Sequence, residues 1–197
     1  MSKIINDEDL DTLFRQARTH NAWTGEGVSE VMMRAVYDLM KWGATSANAS
    51  PARFTFVVSP QAKAKLKPFL MDINQDKMMQ APVCVIIGHD MKFFEQMPRL
   101  FPARPEFGKM FESNPALAEA TAFRNGSLQG AYLMLAARAL GLDCGPMSGF
   151  DNAGVDGAFF AGTSIKSNFL CLIGHGDPKG LYPRQPRLDF EEACKII

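Results

Sequence analysis

The hydrophobic pattern of this chain switches several times between a helical period and short uninterrupted apolar runs. In residues 7–19, Leu10, Leu13, Phe14 and Ala17 fall at i, i+3, i+4 and i+7, which predicts an amphipathic helix. Ser29 is placed to cap a second helix, VMMRAVYDLMKW, and Gly43 stands where a glycine would end it. ARFTFVVS (52–59) reads as a strand, and QAKAKLKPFL after Pro60 as a short helix. VCVIIG (83–88) is β-branched and unbroken, the pattern of a central strand buried on both faces. A long helix is predicted over Ala116 to Leu140, with a second half apolar on nearly every side. Strands follow at 142–147 and 168–174. A proline-rich tail leads into the closing helix LDFEEACKII, where Asp189 and Glu192 are spaced as a capping box. Helices mixed with about four strands predict an α+β single domain.

Residues 91–115 stand apart. Phe93, Phe94, Phe101, Phe107 and Phe111 are set among prolines, a composition that suits a partly helical excursion better than a core element. No internal repeat or low-complexity tract is visible.

Composition narrows the function classes. A chain of 197 residues fits one domain that buries ~70% of its unfolded surface. The 21 basic residues balance 21 acidic ones, so charge gives no argument for nucleic acid or an anionic membrane. The acidic N-terminus lacks an apolar signal region, and the longest apolar helix is interrupted by Arg138. Cys84, Cys144, Cys171 and Cys194 are scattered, as expected of reduced, mostly buried thiols in a cytoplasmic protein. His20, His89 and His175 show no metal-ligand spacing, so neither a metal site nor a Ser-His-Asp triad is expected.

Five segments carry candidate chemistry. Arg18-Thr19-His20-Asn21 offers cation, hydroxyl and amide groups for a phosphate and a polyol, or only an arginine near helix carbonyls. Ala44 to Pro51 is a run of small and polar residues suited either to close approach by a ligand or to a plain connection. Asn74-Gln75-Asp76-Lys77 offers an amide and a cation to a uracil-like edge, although on these residues alone a solvated polar turn accounts for it better. Gly145-Pro146-Met147-Ser148-Gly149-Phe150 reads as a turn whose main-chain N–H groups, at Ser148 and Gly149, meet a flat ligand such as a flavin ring, or as a simple strand end. Arg184 and Arg187, in the proline-stiffened tail, suit a phosphate clamp or simple solvation.

The order and spacing of these segments resemble the FMN-dependent nitroreductase family over essentially the whole chain. Arg18 to Asn21 is similar to the family's first Arg-Ser/Thr segment, and Ala44 to Pro51 to its Pro-Ser-Ser-x-Asn-x-Gln-Pro loop. Asn74 to Lys77 is similar to its Asn-x-x-Lys, Tyr132 to Phe150 to its helix-GLD-x-x-Pro-x-x-Gly-Phe segment, and Arg184 to Glu192 to its final arginine-bearing tail. ARTHNAW, MKWGATSANASPARF and PRQPRLDFEEAC resemble in particular the malonic semialdehyde reductase subgroup of pyrimidine degradation.

The resemblance implies a nitroreductase-like fold over 1–197, with a mostly antiparallel sheet of four to five strands flanked by helices. It implies a domain-swapped homodimer whose tail, 176–197, wraps the partner, and FMN bound at the interface. It assigns phosphate and ribityl contacts to Arg18, Thr19, Asn21, Arg184 and Arg187. Ring contacts fall to Asn74, Lys77, Pro146, Met147, Ser148 and Gly149, and, from the partner chain, to Thr45, Ser46 and Asn48. Ser148 departs from the family's frequent glutamate, and Asn21 from its frequent basic residue. With less charge at Asn21, Lys77 is the candidate charge stabiliser. The chemistry itself falls to flavin N5, in ping-pong hydride transfer from NADH or NADPH, with no dedicated acid–base side chain. Three functions fit: reduction of a small aldehyde, malonic semialdehyde, to 3-hydroxypropanoate; broad reduction of nitroaromatics and quinones; and a flavin-binding protein without turnover. The partners expected are a second copy of the chain and a small-molecule oxidant, with no nucleic acid and no membrane.

Overall fold

The computed structural model describes residues 3–197. A sheet of four antiparallel strands lies at its centre: β1 (Ala52–Val57), β2 (Val83–Asp90), β3 (Asp143–Met147) and β4 (Ile165–Gly174), in the spatial order β1-β2-β4-β3. β2 is central as its sequence predicts, buried along its length except at Asp90.

Side-chain alternation along β2 divides the core into two layers. Val83, Val85 and Ile87 face one side, where they pack with Val36 and Met40 of α2 (Glu30–Met40) and with Leu133, Ala136 and Ala137 of the long helix. Cys84 and Ile86 face the other side. There they meet Leu66 of α3 (Pro60–Leu66), Met78 of α4 (Asp72–Gln80) and Val155 of α8 (Asn152–Phe159). Helices therefore cover both faces of the sheet, which explains why β2 and the second half of β4 are apolar without alternation.

The long helix, α7, spans Pro115–Ala139. The Asn114 side chain accepts the Leu117 N–H at 3.1 Å, Pro115 supplies a fixed φ at the first turn, and Gly141 at φ 78° ends it. Ser29 caps α2 as the sequence predicts. Gly43 plays a different part from the one expected. It lacks the left-handed φ of a helix-ending glycine; instead the Tyr132 ring packs so close that a Cβ at this position would clash with it. Helix–helix approach selects this glycine.

The first helix is shorter than its periodicity predicts. α1 covers Asp7–Leu10 and widens into one π turn over Asp11–Arg15, closed by Gln16 N–H to the Asp11 carbonyl at 2.8 Å. Arg15 pairs with Asp7 and Asp11, and Phe14 is left 58% exposed. The apolar face foreseen for residues 7–19 is thus only partly covered within one chain.

The 91–115 segment contains two short helices, α5 (Met97–Leu100) and α6 (Glu106–Glu112). It is helical in part, as expected, but it also builds a small core of its own. Phe93, Met97 and Phe111 are buried with Ala118 and Ala122 of α7 and with Ala49. The closing helix α9 (Phe190–Ala193) begins with the predicted Asp189–Glu192 capping box. No described helix is long and apolar enough to cross a membrane.

All four cysteines are free, and Cys194 alone is exposed. Burial pushes the Cys84 thiol up to about 12, despite the nearby Lys63. At pH 8 a disulfide reagent should therefore label Cys194 quickly and the other three only on unfolding in urea; equal labelling of native protein would contradict this core. The fold holds Cys84 protonated, whereas an ordinary thiol ionises near 9.0. Its contribution is complete below that pH and is lost as pH rises toward 12. Between pH 8 and 10.5 the urea midpoint of the wild type should fall further than that of Cys84→Ala.

Candidate functional site

The site is assembled around the edge strand β3. Residues 19–20 lie alongside it: Thr19 pairs in parallel with Cys144, and His20 N–H donates to the Cys144 carbonyl at 3.0 Å. The contact is close enough to explain Gly145, because a Cβ there would sit 2.5 Å from the His20 carbonyl oxygen. His20 is buried with Nε2 3.3 Å from Asp143, and the other Asp143 oxygen accepts the Gly176 N–H at 2.9 Å. One carboxylate thus secures both the 18–21 strip and the start of the tail.

The tail then crosses the same strip. Arg18 donates to the Tyr182 carbonyl, and Arg184 to the Ala17 carbonyl at 3.1 Å. Between them lies a cavity of about 630 Å³ lined by Arg18, Thr19, Asn21, Arg184 and Arg187. Arg15 and Arg138 also reach it, and no Asp or Glu lines it. Arg18, Arg184 and Arg187 donate to backbone carbonyls and have no carboxylate partner among the described residues. Arg15 is offset by Asp7 and Asp11, but the other arginines give the acid-free cavity an excess of positive charge that attracts an anion, and the planar guanidinium fork matches phosphate.

Beyond the arginines, Asn21 accepts from Lys77 Nζ at 3.3 Å. Lys77 and Asn74 stand on α4, one turn apart, rather than on a solvated turn. Asn74 is buried and Lys77 half-buried, and loss of water holds Lys77 below the usual lysine range. Asn74 Nδ2 donates to the Gly149 carbonyl at 2.9 Å, and the Met71 N–H donates to the same oxygen at 3.0 Å. Gly149 is thus held through its carbonyl by the start of α4.

The 145–149 stretch divides differently from its sequence reading. Gly145, Pro146 and Met147 belong to β3, and only Ser148 to Phe150 form the turn. Pro146 is tolerated because β3 is an edge strand. The Ser148 and Gly149 amides find no acceptor among the described residues. They are available to an acceptor on a ligand.

Thr45, Ser46 and Asn48 do not join this group within one chain. Asn48 lines a separate cavity of about 810 Å³. Their loop is strained, with positive φ at Ala47, Asn48 and Ser50. Two buried amides on α7 hold it there. Asn125 Oδ1 accepts the Ser46 N–H at 2.8 Å, and Gln129 Oε1 accepts the Ala52 N–H at 2.8 Å. Asn125 and Gln129 were not singled out in the sequence, although two amides four residues apart on an apolar helix were a usable signal. Arg15, Arg138 and Tyr182 of the arginine cavity were missed because that cavity joins segments far apart in sequence.

Known proteins match this chain in sequence and in fold. The model of the Nitroreductase family matches residues 1–176. The chain belongs to the Nitroreductase family. A Burkholderia lata relative named as an NADH dehydrogenase/NAD(P)H nitroreductase is 60% identical over 192 residues, covering 98% of both chains. A Ralstonia pickettii protein of the same name, HadB, is 56% identical over 95% of this chain and 96% of its own. Among solved structures, the Bacillus subtilis nitroreductase-type protein YdfN superposes with a TM-score of 0.87 at 18% identity, covering 98% of this chain and 100% of its own. A nitroreductase-type protein of Exiguobacterium sibiricum, solved with FMN, gives 0.84 at 20% identity, with 100% of each chain covered. The four-stranded antiparallel sheet with helices on both faces is the nitroreductase fold.

Two glycines test the packing of this region. Gly145→Ala should destabilise by roughly 1–3 kcal/mol, because the blocking atom is backbone. Gly157→Ala, exposed on α8 with nothing within 4 Å of its Cβ, should stabilise by about 0.5–1 kcal/mol. Urea unfolding of both variants checks the pair. A neutral Gly145→Ala would mean that the 18–21 strip is not pressed against β3.

Proposed function

We propose that this chain is an FMN-dependent NAD(P)H oxidoreductase, active as a homodimer, that reduces malonic semialdehyde to 3-hydroxypropanoate. The observation that carries the reading is the acid-free arginine cavity, whose Asn21 is hydrogen-bonded to Lys77 of α4, the helix that also holds Gly149 through Asn74. The names of the Burkholderia and Ralstonia relatives support the activity, and the Exiguobacterium structure supports the cofactor. FMN, when bound, supplies a relay that takes a hydride from NAD(P)H and delivers it to an electrophilic acceptor, here an aldehyde carbon whose oxygen gains a proton.

The chain's own residues bind and orient. Arg18, Arg184 and Arg187, with the Thr19 hydroxyl, hold the phosphate, and Asn21 holds the ribityl chain. Lys77 places a partly desolvated cation beside the ring, where it favours negative charge. Asn74 fixes the Gly149 carbonyl, so that the Ser148 and Gly149 amides donate to the ring edge. Pro146 and Met147, at the end of β3, would line the ring site, and the partner chain would supply Thr45, Ser46 and Asn48.

Dimerisation is supported by apolar side chains that one chain leaves uncovered. Trp42 is 81% exposed, and Leu39, Phe123 and Leu128 are exposed near it in sequence or on α7. Leu188 and Phe190 of the exposed tail are suited to wrap the partner over 176–197. Three buried free thiols support a reducing, cytoplasmic setting. The relatives' names and the aromatic residues beside Asn48 also favour a second reading, broad reduction of nitroaromatics and quinones.

Purified protein should be yellow, bleach anaerobically with NADH or NADPH, and regain colour rapidly with malonic semialdehyde but not with a nitrofuran. The reverse preference would establish the second reading. Flavin that binds but is not reduced would leave a flavin-binding protein without turnover, and colourless protein that takes up no FMN would remove the flavin reading. Arg187→Ala should weaken FMN binding by about tenfold or more, with an unchanged circular dichroism spectrum. Unaltered FMN affinity would exclude Arg187 from the phosphate site.

A further inference from the structure

The cavity of about 810 Å³ beside the Thr45–Asn48 loop has its own charge pattern. Three cations line it, Lys41, Arg53 and Arg99, and no Asp or Glu does. Two of the three are already committed. Lys41 pairs with Asp38 at 2.6 Å, and Arg53 pairs with Asp90 at 2.7 Å while donating to the Ser50, Pro51 and Ala52 carbonyls. Arg99 is different. Its guanidinium makes one long bond, 3.3 Å, to the neutral Gln96 amide, and it has no carboxylate partner among the described residues.

Arg99 is also tied to the loop. It sits on α5, where the next residue, Leu100, accepts the Asn48 side-chain N–H through its carbonyl at 2.8 Å. Asn48 is one of the residues assigned to the partner's flavin ring. Tyr37, Trp42, Phe54 and Phe56 line the same cavity. An uncommitted guanidinium in an acid-free cavity lined also by aromatic side chains suits a small organic carboxylate.

We propose that Arg99 is a specificity-determining residue that holds the carboxylate of an anionic oxidant beside the flavin bound at the Thr45–Asn48 loop. This rests on the flavin-enzyme reading above. Arg53 is held by Asp90 and shapes the wall; Arg99 does the selecting. A phosphate of the nicotinamide donor offers the same anionic chemistry, and the test separates the two.

The probes are malonic semialdehyde and its methyl ester, alike in the aldehyde and different in charge. In the holoenzyme, Arg99→Gln should raise KM for malonic semialdehyde about tenfold with kcat nearly unchanged, and shift the ester's constants less than twofold. Arg99→Lys should recover part of the loss. Equal effects on acid and ester, or no effect on either, would overturn the proposal. So would slower flavin reduction by NADPH in Arg99→Gln, which would assign the residue to the donor's phosphate.

A binding measurement works without turnover. Benzoate titrated into the protein as purified should change tryptophan fluorescence through Trp42, with about tenfold weaker affinity in Arg99→Gln. No benzoate binding, or binding indifferent to Arg99, overturns the anion site. Arg99-dependent benzoate binding in a protein whose bound flavin neither NADH nor NADPH reduces would support the site and overturn the oxidoreductase reading alone.

Discussion

The backbone contact between the 18–21 strip and β3 is the constraint on which the rest of the site depends. One hydrogen bond, His20 N–H to the Cys144 carbonyl at 3.0 Å, fixes the strip in register with an edge strand. Gly145 permits the approach, and Asp143 anchors both His20 and the Gly176 amide. Everything charged in the arginine cavity follows from that line of contact. Arg18 projects toward the returning tail, Arg184 reaches back to Ala17, and Asn21 reaches Lys77. A segment of four residues with no regular structure of its own thereby acquires a defined position against a rigid sheet.

A second set of contacts does for the Thr45–Asn48 loop what β3 does for the strip. Positive φ at three of four successive non-glycine positions, Ala47, Asn48 and Ser50, is costly, and the loop keeps it only because α7 over-determines the geometry. Asn125 is fully buried, and both ends of its amide are used, on the Ser46 amide and hydroxyl and on the Thr121 carbonyl. Polar groups this deep are tolerated because they are satisfied, and once satisfied they specify one conformation. The long helix is therefore core on its sheet side and a scaffold for the loop at its polar notch. Its remaining exposed apolar residues, Phe123 and Leu128, mark the side that one chain does not cover.

Much of this was legible in linear order. β2 announced itself by an unbroken β-branched run, because a strand buried on both faces has no polar alternation to show. α2 and α9 announced their starts through Ser29 and the Asp189–Glu192 pair, because capping is local chemistry. The first helix did not follow its pattern. Periodicity marked an apolar face to Ala17, but periodicity does not say whether a single chain supplies enough surface to bury it, and the helix widens and stops at Arg15. The Phe-rich excursion was recognised as irregular, yet its small core with Ala118 and Ala122 was invisible, since the partners lie on another helix.

The sequence by itself determined the elements, the family and the residue types of the site: an arginine, a hydroxyl and two amides in the right order, a small-residue loop, and a tail with two more arginines. Those signals are local, carried by spacing and by which side chains suit which backbone. Only the tertiary structure decided how they are grouped. It set Arg18, Thr19, Asn21, Arg184 and Arg187 around one cavity, Asn74 on the Gly149 carbonyl, and Thr45, Ser46 and Asn48 away from both. It also distinguished Arg53, spent on Asp90, from Arg99, which is not. The physical reason is that electrostatics and hydrogen bonding act over a few ångströms of space, whereas these partners are separated by as many as 167 residues of chain.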